Sequence, residues 1–129
     1  MRRIGIEERR ARLVRRHLLT PDARARSAAE VAEALGALHA TDSSTVYLSV
    51  RARSNGIDPP AIERELYEKR TVLRMLGMRR TLFVVPRDAR PIVQRACTDD
   101  VAARERTRLE GWLAETDGID DAGAWLAEA

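Results

Sequence analysis

His39, Asp42 and Ser43 bring an imidazole, a carboxylate and a hydroxyl into one short stretch, the residue types of a hydrolase triad. Closeness in sequence does not supply triad geometry, and the chain has no Gly-x-Ser-x-Gly elbow to expose a nucleophilic serine, so that reading is set aside. The other concentrated chemistry is arginine. Of 23 Lys+Arg, every residue but Lys69 is arginine, whose planar fork matches the oxygens of a phosphate or carboxylate. Arg9, Arg12, Arg15 and Arg16 fall on one arc of a predicted helix, and Arg74, Arg79 and Arg80 belong to a predicted hairpin. A solvated face is the ordinary use of such clusters. Contact with a polyanion is the functional one, because each phosphate neutralised releases counterions and makes binding salt-dependent.

The distribution of charge favours the second use. A chain of 129 residues and net charge +3 is one domain, or one domain and part of another. Residues 1 to 98 carry 20 basic and 11 acidic side chains (net +9), and residues 99 to 129 carry 3 basic and 9 acidic (net −6). The result is a basic body suited to nucleic acid with an acidic segment suited to protein. Cys97 is the single cysteine, so there is no internal disulfide, and no Cys/His cluster offers a metal site or calls for a cofactor. No apolar stretch serves as a signal peptide or a membrane span, which predicts a cytoplasmic protein. Five aromatic residues are too few for a base-stacking platform.

The elements that must position these groups follow from periodicity and caps. Residues 6 to 18 read as a helix with Ile6, Leu13, Val14, His17 and Leu18 on an apolar arc, placing His17 at the core edge. Thr20-Pro21-Asp22 ends it. Ser27 and Glu30 form a capping box for a short helix over 28 to 35. Gly36 is a stop for that helix, although Ala37 and Leu38 are apolar enough to prolong it. Val46, Leu48 and Val50 alternate like a strand, yet Asp42, Ser43 and Ser44 before them are helix N-caps. Ser54-Asn55-Gly56 is a turn, and Asp58-Pro59-Pro60 opens a helix in which Ile62 and Leu66 face the core and Glu65 pairs with Lys69. Residues 71 to 76 and 81 to 85, joined by Gly77-Met78-Arg79-Arg80, read as a hairpin ended by Pro86. The rest is helical with a break at Gly118. Fold class is mainly α with a small β-hairpin wing: a winged helix-turn-helix followed by extra helices.

Four blocks, Leu35-Gly36-Ala37-Leu38-His39-Ala40-Thr41-Asp42, Tyr47-Leu48-Ser49-Val50-Arg51-Ala52-Arg53, Leu66-Tyr67-Glu68-Lys69-Arg70 and Met78-Arg79-Arg80-Thr81-Leu82, carry a resemblance. Over roughly residues 8 to 97 the chain resembles the tandem winged-helix family that includes the AlkZ and YcaQ type bacterial DNA glycosylases. The resemblance implies that residues 45 to 53 are helical, that residues 71 to 85 form the wing, and that residues 1 to 86 form a first winged-helix DNA-binding domain. Residues 87 to 129 are then a connector and the start of a second unit, with Trp112 and Trp125 partly exposed. Implied partners are duplex DNA, contacted by Arg9, Arg12, Arg16, Arg74, Arg79 and Arg80, and the remaining winged-helix units of the same protein. The chain stops inside an apparent helix at Trp125-Leu126-Ala127-Glu128-Ala129, which points to truncation.

The family's glycosylases hold the attacking water with Gln-apolar-Gln or Gln-apolar-Asp, and the matching positions here are His39, Ala40 and Thr41. Both polar positions depart from that motif. Hydrolysis through a cation-like sugar needs an acceptor for water and a group that stabilises positive charge. The catalytic set implied is therefore His39 as acceptor, Thr41 to orient the water and Asp42 for negative charge, acting as a DNA glycosylase in the full-length protein. Two other readings stay open: a non-enzymatic winged-helix transcriptional regulator, and an interaction module without a DNA role. The near-neutral helix at 59 to 70, where Glu63, Glu65 and Glu68 accompany Arg64, Lys69 and Arg70, keeps the last of these in play.

Overall fold

A computed structural model of the chain describes residues 3–117, 119 and 121–128. Helix α2 (Ala28–Leu35) begins where Ser27 takes the Glu30 amide at 3.0 Å, and it ends at Gly36, whose φ of 83° is the left-handed conformation that only glycine adopts freely. The capping box is only half realised. Glu30 accepts from the Arg26 amide at 2.8 Å, one residue before the expected partner. The chain does not prolong the helix through Ala37. Leu38–His39 instead form a two-residue strand, β1.

Helix α3 (Ser43–Arg53) settles the ambiguity at 46 to 50 in favour of the helix. Asp42 accepts from the Ser44 amide at 2.9 Å, and Val46 and Val50, four residues apart, turn one stripe into the core while exposed Leu48 faces away. Helix α4 (Pro59–Glu63) starts under the Asp58 carboxylate, 2.9 Å from the Ala61 amide, and runs on through a π-type turn at Arg64–Glu68. Strands β2 (Val72–Leu76) and β3 (Leu82–Pro86) are antiparallel, and β1 adds to the far side of β3, giving the order β1-β3-β2. Pro86 is the last ladder residue, opposite Val72. The succession helix, strand, helix, helix, hairpin is winged-helix-like, in a chain that is mainly helical.

Ala28, Val31, Ala32, Leu38, Ala40, Val46, Val50, Ile62, Val72 and Val84 make one buried cluster between α2, α3, α4 and the sheet. Its residues are small, so position matters more than bulk, and a buried carboxylate supplies that position. Glu65 receives the Ala28 amide at 2.9 Å, the Ala29 amide at 3.0 Å and the Thr71 hydroxyl at 3.0 Å. It does not pair with Lys69 as the i,i+4 spacing suggested. The positive end of α2 and its unpaired amides are a stronger partner for a buried carboxylate than a solvated lysine.

Helix α1 (Ile6–Arg16) stops two residues earlier than expected, has no buried residue, and leaves Ile6, Leu13 and Val14 exposed. His17 is exposed too, not at the core edge. After Pro86, α5 (Arg90–Val93) continues through a π-type turn at Gln94–Thr98 into α6 (Asp99–Asp117), and α7 (Ala122–Glu128) packs back on α6. Trp112 and Trp125 are 56% and 50% exposed, in line with expectation. The break expected at Gly118, and the chain end at Ala129, lie outside the described residues.

Glu65→Ala strands two amides at the start of α2, and we expect a loss of about 3 kcal/mol in urea unfolding. Glu65→Gln, which keeps an acceptor, should lose less; a wild-type midpoint for the alanine variant would show that Glu65 does not organise the core.

Candidate functional site

The pairing of β1 with β3 fixes what the segment from 38 to 42 presents. Leu38 lies opposite Val84 and His39 opposite Phe83, and the Ala40 amide extends the ladder to the Leu82 carbonyl at 2.8 Å. Alternation along the strand buries Leu38 and exposes His39; Ala40, the last ladder-bonded residue, is buried, and Thr41, in the bend that follows, is exposed. The two polar residues are thus both exposed, and the small residue between them anchors in the core. The His39 ring meets Phe83 edge-on, with centroids 5.8 Å apart at 81°. Among the described residues it has no hydrogen-bond partner.

Asp42 is exposed at the N-terminus of α3 and holds both the Ser44 amide, at 2.9 Å, and the Ser44 hydroxyl, at 2.8 Å, on the same oxygen, Oδ1. The Ser44 hydroxyl, and after it the Ser44 amide, keep its carboxyl below the usual carboxylate range. It therefore stays ionised, with Oδ2 unengaged among the described residues.

The arginines are less uniform than their sequence clustering implies. Arg74 starts on the same sheet face as its partner Val84 and donates to the Ala40 carbonyl at 2.9 Å, whereas His39 and Phe83 occupy the opposite face. Strand pairing thus brings Arg74 to the backbone of the His39 segment and not to its imidazole. On α1, Arg12 pairs with Glu8 at 2.6 Å and Arg15 with Asp22 at 3.6 Å. Arg9 and Arg16 have no carboxylate partner among the described residues. At the hairpin tip, Arg79 and Arg80 have φ of 56° and 61°, a left-handed pair strained for residues with a Cβ. Gly77 lets the tip close, since a Cβ there would stand 2.9 Å from the Phe83 ring.

Two further arginines are structural. Arg24 donates to the Ala52 and Ser54 carbonyls at 3.0 Å each and closes α3; Arg87 donates to the Lys69 and Arg70 carbonyls and closes the helix of α4. Cations at helix C-termini meet the negative ends of those helices. Sequence reasoning missed both, because their partners lie 28 and 17 residues away. It also missed Arg104, Glu105 and Arg108, which α6 brings to the wing tip. Their i,i+4 spacing was readable, but their target was not.

The chain matches the family described as DNA glycosylase AlkZ-like over residues 32–129. The chain belongs to the AlkZ-like DNA glycosylase family. No individual curated relative and no solved structure matches it. The family match runs from within α2 through α6 and α7, so the C-terminal helices belong to the family's pattern, beyond the roughly 8 to 97 span in which the resemblance is visible in sequence. Among the described residues, no helix is long and apolar enough to cross a membrane, and no group of three His, Cys, Asp or Glu could hold a metal ion.

Because the folded pKa of Asp42 is depressed, its contribution to α3 is present above the unfolded pKa and is lost as pH falls through the lowered folded value. Asp42→Asn keeps the cap without the titration. Thermal melts across the acid range should show a flatter decline for the asparagine variant; superimposable profiles would remove Asp42 from this linkage.

Proposed function

We propose that this chain is a winged-helix DNA-binding unit of an AlkZ-like glycosylase, with residues 1 to 86 as the DNA-binding part and residues 87 to 129 as the connector toward a further winged-helix unit. Duplex DNA is contacted through Arg9, Arg12, Arg16, Arg74, Arg79 and Arg80. The observation that carries the reading is the outward pair of His39 and Thr41 flanking buried Ala40, at the family's polar-apolar-polar positions.

In this reading a water lies against His39 and Thr41. The neutral imidazole accepts its proton as the oxygen attacks C1′ of the sugar; the Thr41 hydroxyl fixes its direction; the N-glycosidic bond breaks and its electron pair leaves with the base. Asp42, held ionised by Ser44, faces the positive charge that builds on the sugar ring. Burial of Glu65 supports DNA contact as well. With that carboxylate drawn into the core, the exposed charges of the 59 to 70 helix are Arg64, Lys69 and Arg70 against Glu63 and Glu68, so its surface is more basic than its composition. This weakens the reading as an interaction module. A non-enzymatic regulator would share the DNA-binding surface and differ in releasing no base.

Six arginine contacts imply that duplex affinity falls about a thousandfold between roughly 50 and 200 mM salt. An affinity indifferent to salt would count against the DNA-binding surface. In base-release assays on alkylated duplex with the full-length protein, His39→Ala should slow release by about a hundredfold or more. Unchanged release in the variant would remove His39 from the mechanism, and no release by either protein would favour the regulator.

A further inference from the structure

The wing tip and α6 enclose a cleft of about 440 Å³ lined by Arg79, Arg80, Val101, Arg104, Glu105 and Arg108. The lining holds four arginines and one carboxylate, and two of the arginines bind that carboxylate as they would an oxyanion. Arg80 grips Glu105 with two prongs, Nε to Oε1 at 2.9 Å and Nη2 to Oε2 at 3.1 Å, while Arg108 approaches Oε2 at 3.6 Å. Arg104 is held to Asp100 one turn back along α6. Arg79 has no carboxylate partner among the described residues. The fork that Arg80 offers Glu105 is the same fork it would offer two phosphate oxygens. Arg79 and Arg80, with φ of 56° and 61°, are the two left-handed residues of the hairpin turn, which places both at its tip.

We propose that this cleft seats a phosphodiester group of the DNA backbone and that Glu105 is its internal placeholder, displaced from Arg80 when the phosphate enters. The inference rests on the DNA-binding reading and adds to it Arg104 and Arg108, from a segment whose net charge is −6. The cleft is far roomier than one tetrahedral anion needs, which fits a backbone with its sugars better than an isolated ion. Exchange of Glu105 for phosphate leaves a carboxylate close to the incoming anion, so Glu105 lowers affinity for any phosphate and makes the wing release weakly held backbone. Because Arg80 also ties α6 to the wing through Glu105, occupancy of the cleft loosens that tie and couples DNA contact to the position of α6.

The test is duplex binding by fluorescence anisotropy across a salt series, with thermal melts confirming that each variant folds. Glu105→Gln, which keeps the shape and loses the charge, should tighten binding about threefold; Arg108→Ala should weaken it about threefold and reduce the slope of log affinity against log salt by about 1. Wild-type affinity and slope in both variants, with binding weakened and the slope reduced by Arg9→Ala or Arg16→Ala, would overturn the cleft and leave the DNA-binding reading intact. If the wild-type chain binds no duplex, that reading fails, and inorganic phosphate followed by amide chemical shifts decides the cleft. Shifts at residues 79, 80, 104 and 108 that grow in Glu105→Gln would retain it as a site for free phosphate, and their absence would overturn it.

Discussion

The carboxylate of Glu65 is the contact on which the rest of the arrangement depends. It reaches from the π-type turn after α4 to the first amides of α2, and it takes the Thr71 hydroxyl at the start of β2. One side chain thus joins the helix that precedes β1, the helix that precedes the wing, and the wing itself. A core made mostly of alanine and valine has little shape to enforce a unique packing. A buried carboxylate does enforce one, because leaving it or its amides unpaired costs more than any apolar rearrangement among small residues returns. The Thr71 amide adds a second tie to the Glu65 carbonyl at 3.1 Å, so the same residue anchors by backbone and side chain.

From that anchor the position of the candidate site follows. With α2 fixed and stopped at Gly36, the chain has only two residues before it must meet β3, and these form β1. Their register places Leu38 inward and His39 outward, Ala40 is buried and Thr41 exposed in the bend that follows, and Asp42 turns the chain into α3. The polar side chains are therefore presented by a strand edge and a helix cap, both ladder-bonded or capped, and not by a free loop. A site built on such elements holds its geometry without a ligand.

Local rules in the sequence reached far in this fold. The caps at Ser27, Asp42 and Asp58, the stop at Gly36 and the hairpin over 71 to 85 depend on residues within a few positions of each other, and the structure contains all of them. What was not legible depends on distant partners. Nothing near Leu38 marks a two-residue strand, because its partner β3 is more than forty positions away. The alternation at Val46, Leu48 and Val50 pointed to a strand because a helix with one narrow buried stripe also leaves apolar Leu48 outside. Glu65 looked like half of a surface ion pair, and Arg24 and Arg87 looked like part of a basic surface, for the same reason. The candidate residues His39 and Thr41 were reached through resemblance to a family and not through spacing alone, since an exposed histidine beside an alanine carries no signal of its own.

Net charge does not say which charges reach the surface, and the fold decides that. Partitioning the chain into a basic body and an acidic segment treats every residue as equally available, yet fold position decides which charges meet a ligand. Arg24 and Arg87 are committed to helix carbonyls, Arg74 gives one donor to Ala40, and Arg12 is paired with Glu8. In the other direction, Glu65 is withdrawn from the surface of its helix. The acidic segment meanwhile brings Arg104 and Arg108 to the wing tip, where they line one cleft with Arg79, Arg80 and Glu105. The lining of that cleft is thus assembled across the boundary that composition drew, from the hairpin and α6 together.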